Sequence, residues 1–260
     1  MNPVNEPAIR VRDLTAGYGG VPLLEGVSFE VARGEVFMIL GGSGCGKSTL
    51  LKHLIGLYPP IRGEVWIGDI ELVAAVGVER LRAIRRMGVM YQSGALFGSL
   101  TLLENVRLPL EEFTDLDGPA MDLIARMKLK LVGLENYPGH LPAEISGGMQ
   151  KRAAIARAMA LDPEILFLDE PSAGLDPVTS AGLDSLIRRL ADSVGVTFVI
   201  VTHELASIEA IGDRAIMLDK QRRGVIASGS PRELRDESKE PWVRQFFHRL
   251  AEVPAPANGV

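Results

Sequence analysis

The stretch Gly41-Gly42-Ser43-Gly44-Cys45-Gly46-Lys47-Ser48-Thr49 constrains this chain more than any other. It fits G-x-x-x-x-G-K-[ST], with Gly41 and Gly46 at the fixed glycine positions. Ahead of it, Val36-Phe37-Met38-Ile39-Leu40 is an apolar run of strand length. Behind it, Leu50, Leu51, Leu54 and Ile55 recur at helical spacing, so the stretch joins a buried strand to a helix. Glycines let successive backbone N–H groups converge on an anion, and a helix start adds partial positive charge. Lys47 is expected to bridge the outer phosphates of a nucleotide, and the Ser48 hydroxyl to hold Mg²⁺.

The rest of the composition narrows the class. A chain of 260 residues can bury a full core, as one large α/β domain or two small ones. It is 47% hydrophobic, yet no apolar run approaches the length that spans a bilayer. Met1 to Glu6 lacks the basic and apolar regions of a signal peptide. The net charge of −5 weighs against nucleic acid as the main partner. Cys45 is the only cysteine, so no intrachain disulfide can form; a cytoplasmic setting fits. Its place in the loop fits small size and use of its backbone, with a redox role as the alternative.

Along the chain, Ala8 to Leu14 alternates apolar and polar residues and predicts a strand. Val27 to Val31 predicts another, turned at Arg33-Gly34 into the strand before the loop. Between them Tyr18 lies in a glycine-rich turn, where a ring could stack on a purine or simply sit at the surface. Glu64 to Asp69 reads as a strand. Val78 to Arg86 reads as a helix with Leu81 and Ile84 inward, and Met87 to Tyr91 as a strand ending at Gln92. A neutral polar residue there stands where ligands of α/β sheets are met, to join a metal shell or orient water; locally it could equally be a solvated strand end. From Ser93 to Leu161 helical patterns dominate. Leu102 to Leu110 and Met121 to Val132 are helices, the second with Leu123, Ile124, Met127 and Leu131 on one face. This segment, about residues 93–161, reads as a helical insertion.

The insertion closes with Ile145-Ser146-Gly147-Gly148-Met149-Gln150, which opens a helix running to Ala160. Ser146 is a good N-cap. Glycines in a first turn cost up to about 1 kcal/mol each against alanine, which is reasonable if something approaches the backbone closely; an anion at the free N–H groups would suit, the alternative being a loose loop-to-helix junction. Glu164 to Glu170 then delivers two carboxylates at a strand's end. Asp169 would bind a metal through water and Glu170 would act as general base or orient the attacking water. Ser172 to Pro177 is a turn into a helix. Val196 to Val201 is a buried strand, with His203 just beyond, where it could sense a γ-phosphate. Ala215–Leu218 and Val225–Ser228 predict a closing hairpin. Trp242, Phe246 and Phe247 share a helix face that packs on the domain or meets a partner, and residues 254–259 read as a disordered tail.

The ordered series resembles an ATP-binding-cassette (ABC) ATPase over roughly residues 8–230. Tyr18 matches the aromatic loop, Gly41 to Thr49 the Walker A motif and Gln92 the Q-loop. Ser146-Gly147-Gly148-Met149-Gln150 matches the family signature, usually LSGGQ, with Ile145 for Leu and Met149 for Gln. Asp169 and Glu170 match Walker B plus the catalytic glutamate, Asp176 the D-loop, and His203 the switch histidine. The resemblance implies an α/β P-loop NTPase fold: a RecA-like core, an antiparallel β subdomain and an inserted α-helical subdomain. Residues 1–230 would form the nucleotide-binding domain and 231–260 a C-terminal helical extension with its tail.

It further implies ATP and Mg²⁺ as cofactors, the ion held by Ser48, Gln92 and Asp169. Glu170, His203 and Gln92 would be the catalytic set. Two copies would meet head to tail, each ATP lying between Walker A of one and the signature of the other. Separate membrane subunits would be driven through a groove near the Q-loop. Tyr91 to Thr101, Ala143 to Ala153 and Glu240 to Phe247 look like the ATPases of MCE-type phospholipid transport systems. These systems maintain outer-membrane lipid asymmetry in Gram-negative bacteria. The implied partners are a permease dimer, a hexameric MCE-domain lipid-binding ring and, in some members, a STAS-domain subunit. The implied place is the cytoplasmic face of the inner membrane. The runner-up is the ATPase of a small-solute importer. A soluble ABC mechanoenzyme acting on nucleic acid or ribosomes, or a P-loop kinase, fits the chain less well.

Overall fold

The computed structural model describes residues 6–250. The tail expected at 254–259 lies outside them. A six-stranded sheet, in spatial order β10-β9-β3-β8-β7-β6, forms the centre. Its strands are β3 (Val36–Gly41), β6 (Met87–Met90), β7 (Ile165–Asp169), β8 (Thr197–Val201), β9 (Arg214–Asp219) and β10 (Gly224–Gly229). All pairs are parallel except β9 with β10. Every residue of β3, β7 and β8 is buried, as continuous apolar runs in a doubly covered parallel sheet must be. Alternation divides these strands between two cores. Val36, Met38, Leu40, Leu166, Leu168, Phe198 and Ile200 face one; Phe37, Ile39, Ile165, Phe167, Val199 and Val201 face the other.

The second core is roofed by an antiparallel sheet of order β2-β1-β4-β5, comprising β1 (Ile9–Tyr18), β2 (Val21–Val31), β4 (Arg62–Ile67) and β5 (Ile70–Glu71). β1 and β2 run longer than their alternation predicted, because register shifts between Val11 and Gly17 let the pair continue past Leu14. Tyr18 therefore ends a strand and does not ride a flexible turn. α1 (Lys47–Leu54) and α2 (Gly77–Arg85) lie on the same side. On α2 the expected inward face is corrected: Leu81 is exposed, Ile84 half-buried, and Ala83 fills the core.

The helical insertion contains α3 (Leu102–Phe113), α4 (Gly118–Leu131), a 3₁₀ turn at Pro142–Glu144 and α5 (Gly147–Ala158). α4 also turns mostly the other way from expectation: of the four residues expected on one face, only Ile124 packs against the core. Leu123, Met127 and Leu131 face solvent, while Ala125, Lys128 and Leu129 are buried. The helix carries apolar residues on opposite faces, so spacing alone cannot choose between them. Tertiary packing against α3 and α5 selects the face with the smaller Ala125, and Lys128 reaches out to pair with Asp162. The chain then adds α6 (Pro177–Val194), α7 (Leu205–Ile211), α8 (Pro231–Glu237) and α9 (Pro241–His248). No described helix is long and apolar enough to cross a membrane.

Candidate nucleotide site

Because β3, β6, β7 and β8 are parallel, the segments leaving their C-terminal ends meet at one edge of the sheet, where ligands of open α/β sheets bind. β3 delivers the Gly41–Gly46 loop, β6 Gln92, β7 Asp169 and Glu170, and β8 His203. A cleft of about 660 Å³ opens there, lined by the loop from Gly41 to Thr49 except Cys45, and by Gln92, Glu170 and His203.

The loop owes its shape to glycine. Gly41 has φ 146°, and a β-carbon there would lie 2.6 Å from both Cys45 Sγ and the Leu218 carbonyl. Gly46, at φ 104°, precedes Lys47 without offering a side-chain cap, so the first N–H groups of α1 are left for another acceptor. Lys47 Nζ donates to the carbonyls of Gly41 and Gly42 at 2.9 and 3.1 Å. Cys45 is buried, and burial pushes its thiol pKa up, so it stays a neutral packing residue.

Ser48 Oγ donates to Asp169 Oδ1 at 3.3 Å. Desolvation raises the Asp169 pKa above the ordinary carboxylate value, against the lowering effect of the Ser48 hydrogen bond. Glu170 has φ 47°, the left-handed region that a glutamate adopts only under constraint. Its N–H is held by the Val201 carbonyl at 2.8 Å. Its Oε1 accepts from His203 Nδ1 at 2.8 Å, and its Oε2 is buried with no protein partner. Glu170 as a residue lines the cleft, and a carboxylate there with an oxygen that has no protein partner is suited to take a proton from a water.

Other expected residues stand apart. Tyr18 does not line the cleft; its hydroxyl reaches Thr49 Oγ1 at 3.4 Å, and its ring meets Tyr58 edge-on with centroids 5.2 Å apart. Ser146 to Gln150 lie outside the cleft as well. Ser146 Oγ accepts from the Met149 N–H at 3.3 Å, and Gln150 Nε2 turns back to the Pro142 carbonyl at 2.9 Å. A β-carbon on Gly148 would come within 2.4 Å of Thr179 Cγ2, so close packing against α6 already requires that glycine. Asp176 caps α6, accepting from the N–H groups of Val178 and Thr179 and from the Thr179 hydroxyl, which holds its carboxyl below the usual range.

Four contributors escaped the sequence reading. Leu23 and Phe246 line the cleft. Lys151 donates to the Gln92 carbonyl, and Arg157 to those of Ala95 and Gly94 at 2.7 and 2.9 Å. Through those two cations α5 grips the segment that carries Gln92. Burial lowers the pKa of both. Only the aromatic spacing of Trp242 and Phe246 gave any signal in advance.

Residues 24–173 match the ABC transporter family. The chain belongs to the ABC transporter family, in its ATP-binding subunits. It is 39% identical over 250 residues to the intermembrane phospholipid transport system ATP-binding protein MlaF of Escherichia coli K12, covering 95% of this chain and 91% of that protein. It is 42% identical over 241 residues to a probable ribonucleotide transport ATP-binding protein, mkl, of Mycobacterium leprae, covering 93% and 69%. Among solved structures, the post-hydrolysis dimer of the ATP-binding cassette MJ0796 with ADP and Pi superposes with a TM-score of 0.76 at 32% identity, over 86% of this chain and 98% of that one.

Proposed function

We propose that this chain binds and hydrolyses ATP as the nucleotide-binding subunit of an ABC transporter that moves phospholipid between membranes. The observation that carries the hydrolytic part is the pairing of Glu170 and His203 across the cleft from the phosphate loop, with one Glu170 oxygen unpartnered. Phosphates would take the loop N–H groups and the ammonium of Lys47, which exchanges its carbonyl contacts for them. Glu170, fixed by its strained backbone and by His203, would orient water and accept its proton. Gln92 at the rim would complete the set.

The donors suit Mg²⁺: Ser48 Oγ and Asp169 Oδ1 are hard oxygen ligands side by side. Desolvation already penalises the Asp169 carboxylate, a cost that a cation removes. When bound, the ion would neutralise charge on the β- and γ-phosphates. Ser48, Asp169 and Gln92 would hold it.

The position of Ser146 to Gln150 outside their own cleft supports a head-to-tail homodimer, in which each signature reaches the partner's nucleotide. Phospholipid as cargo rests on the likeness to MlaF along nearly the whole chain. With it come a permease dimer, an MCE-domain protein, a STAS-domain subunit in some systems, and a peripheral place on the cytoplasmic face of the inner membrane. The likeness to the mycobacterial protein favours a second reading, a small-solute transporter. Mass spectrometry of lipids and proteins co-purifying from native membranes separates the two.

Glu170→Gln tests the mechanism. It should bind ATP and turn it over about 10²–10⁴-fold more slowly, the usual contribution of a positioned general base. Near-normal turnover would mean that another group takes the proton.

A further inference from the structure

All but two residues lining the cleft come from its loop or from Gln92, Glu170 and His203; the exceptions are Leu23 and Phe246. Phe246 belongs to α9, near the end of the described chain. That helix has two working faces. Val243 and Phe247 are buried in the core. Trp242 and Phe246, also four apart, form an adjoining face directed at the loop. A β-carbon on Gly42 would stand 3.0 Å from Trp242 Cζ2, so the indole lies against the loop's second residue. Arg222 pairs with Glu240 at 3.3 Å and ties the start of α9 to the β9–β10 turn. That turn is held to β2 by the Glu25 N–H, which donates to the Arg223 carbonyl at 2.7 Å. The helix is therefore anchored at its start and along its buried side, and what it presents to the loop is aromatic.

Gly42 is also one of the two carbonyls that hold the Lys47 ammonium. Trp242 and Phe246 thus stand beside the part of the loop from which Lys47 must move to meet a phosphate. An apolar wall there lowers the local dielectric and strengthens the attraction between ammonium and phosphate. We infer that α9 is part of the nucleotide site: Phe246 walls the phosphate end of the cleft, and Trp242, packed on Gly42, reports whether the loop is occupied. This rests on the reading of the cleft as an ATP site. It makes the C-terminal helix responsive to nucleotide within a single chain.

The test uses the full chain carrying Trp66→Phe, which leaves Trp242 as its only indole. ATP and ADP are titrated while Trp242 emission is followed, and binding is measured independently by equilibrium dialysis. Emission should change with both nucleotides, along the dialysis curve. Phe246→Ala should raise the dissociation constant roughly three- to tenfold, the scale of losing one packed aromatic at a binding surface. Phe246→Tyr should restore affinity. Binding by dialysis with silent Trp242 emission and unchanged affinity in Phe246→Ala would overturn the inference while leaving the ATP site standing. A response to ATP alone would assign the signal to closing of the dimer and also overturn it. Absence of binding by dialysis would remove the ATP site itself.

Discussion

Two glycine-rich segments in this molecule open onto helices, and they differ in what the glycines are for. Before α1, Gly41, Gly44 and Gly46 all take positive φ, and α1 begins with no side-chain cap. Before α5, Ser146 caps the helix, and Gly147 and Gly148 have ordinary helical backbones. There the absence of a side chain serves packing, since Thr179 fills the space beside Gly148. The first start has no side-chain cap and faces a cleft; the second is capped by Ser146 and lies outside that cleft. A segment that looks the same in one dimension is thus a receptor in one place and a rigid presenting edge in the other.

If the first start is a receptor, the largest effect should come from its cation. Lys47→Ala removes the charged donor from a partly dry site. Charge-assisted hydrogen bonds are worth about 1.5–3 kcal/mol each, so with more than one lost ATP affinity should fall by about 10²-fold or more. Unchanged affinity by calorimetry would break the distinction, because the loop would then be a mere turn.

The second start should respond to packing. Gly148→Ala drives a methyl group into Thr179 Cγ2, whose side chain is held by Asp176. Overpacking of this kind costs about 1–3 kcal/mol. Thr179→Ser removes the offending methyl and keeps the hydroxyl for Asp176. The double variant should therefore recover the loss in thermal unfolding and outdo the parent by the better helix propensity of alanine. Failure of that rescue would mean the glycine serves something other than α6.

Much of this was legible in the residues, and the rest was hidden for physical reasons. The unit from Val36 to Leu54 was readable because a continuous apolar strand, a positional motif and a helical period coincide. The convergence of Gln92, Asp169, Glu170 and His203 followed once their strands were parallel. The inward face of α4 was not readable, since Leu123 and Met127 offer a better stripe than Ala125 and Leu129, and only α3 and α5 decide between them. Lys151 and Arg157 were invisible because each donates to backbone carbonyls about 60 residues away, and a carbonyl leaves no mark in a sequence. Phe246 was noticed as an aromatic, but the loop it faces is known only from the fold.

The two starts should also differ in the sign of a stability change. At the first, burial raises the Asp169 pKa in the folded chain above its unfolded value. The folded state then holds the proton more tightly. Stability is lost as pH rises from the unfolded value through the folded one, and the loss is complete above both. Asp169→Asn lacks that penalty. In EDTA near pH 7 it should be more stable than the parent by about 0.5–2 kcal/mol, the range of single stabilising changes. The gain should vanish as pH falls below the ordinary carboxylate range. Equal melting temperatures across pH would show that the first start carries no such cost.

At the second start the corresponding change should be small and negative. Ser146→Ala removes the acceptor for the Met149 N–H. Because that bond is 3.3 Å long and exposed, the loss should sit at the low end for a cap, about 0.5 kcal/mol, or roughly 1–2 °C in a chain of this size. Ser146→Asp separates the cap from any partner phosphate. Aspartate caps a helix as well as serine does, so the melting temperature should hold. Its charge, however, would repel a phosphate brought by a second copy, and ATPase activity of the assembled transporter should collapse. Preserved activity in Ser146→Asp would mean that no anion approaches this helix, and the presenting role of the second start would have to be given up.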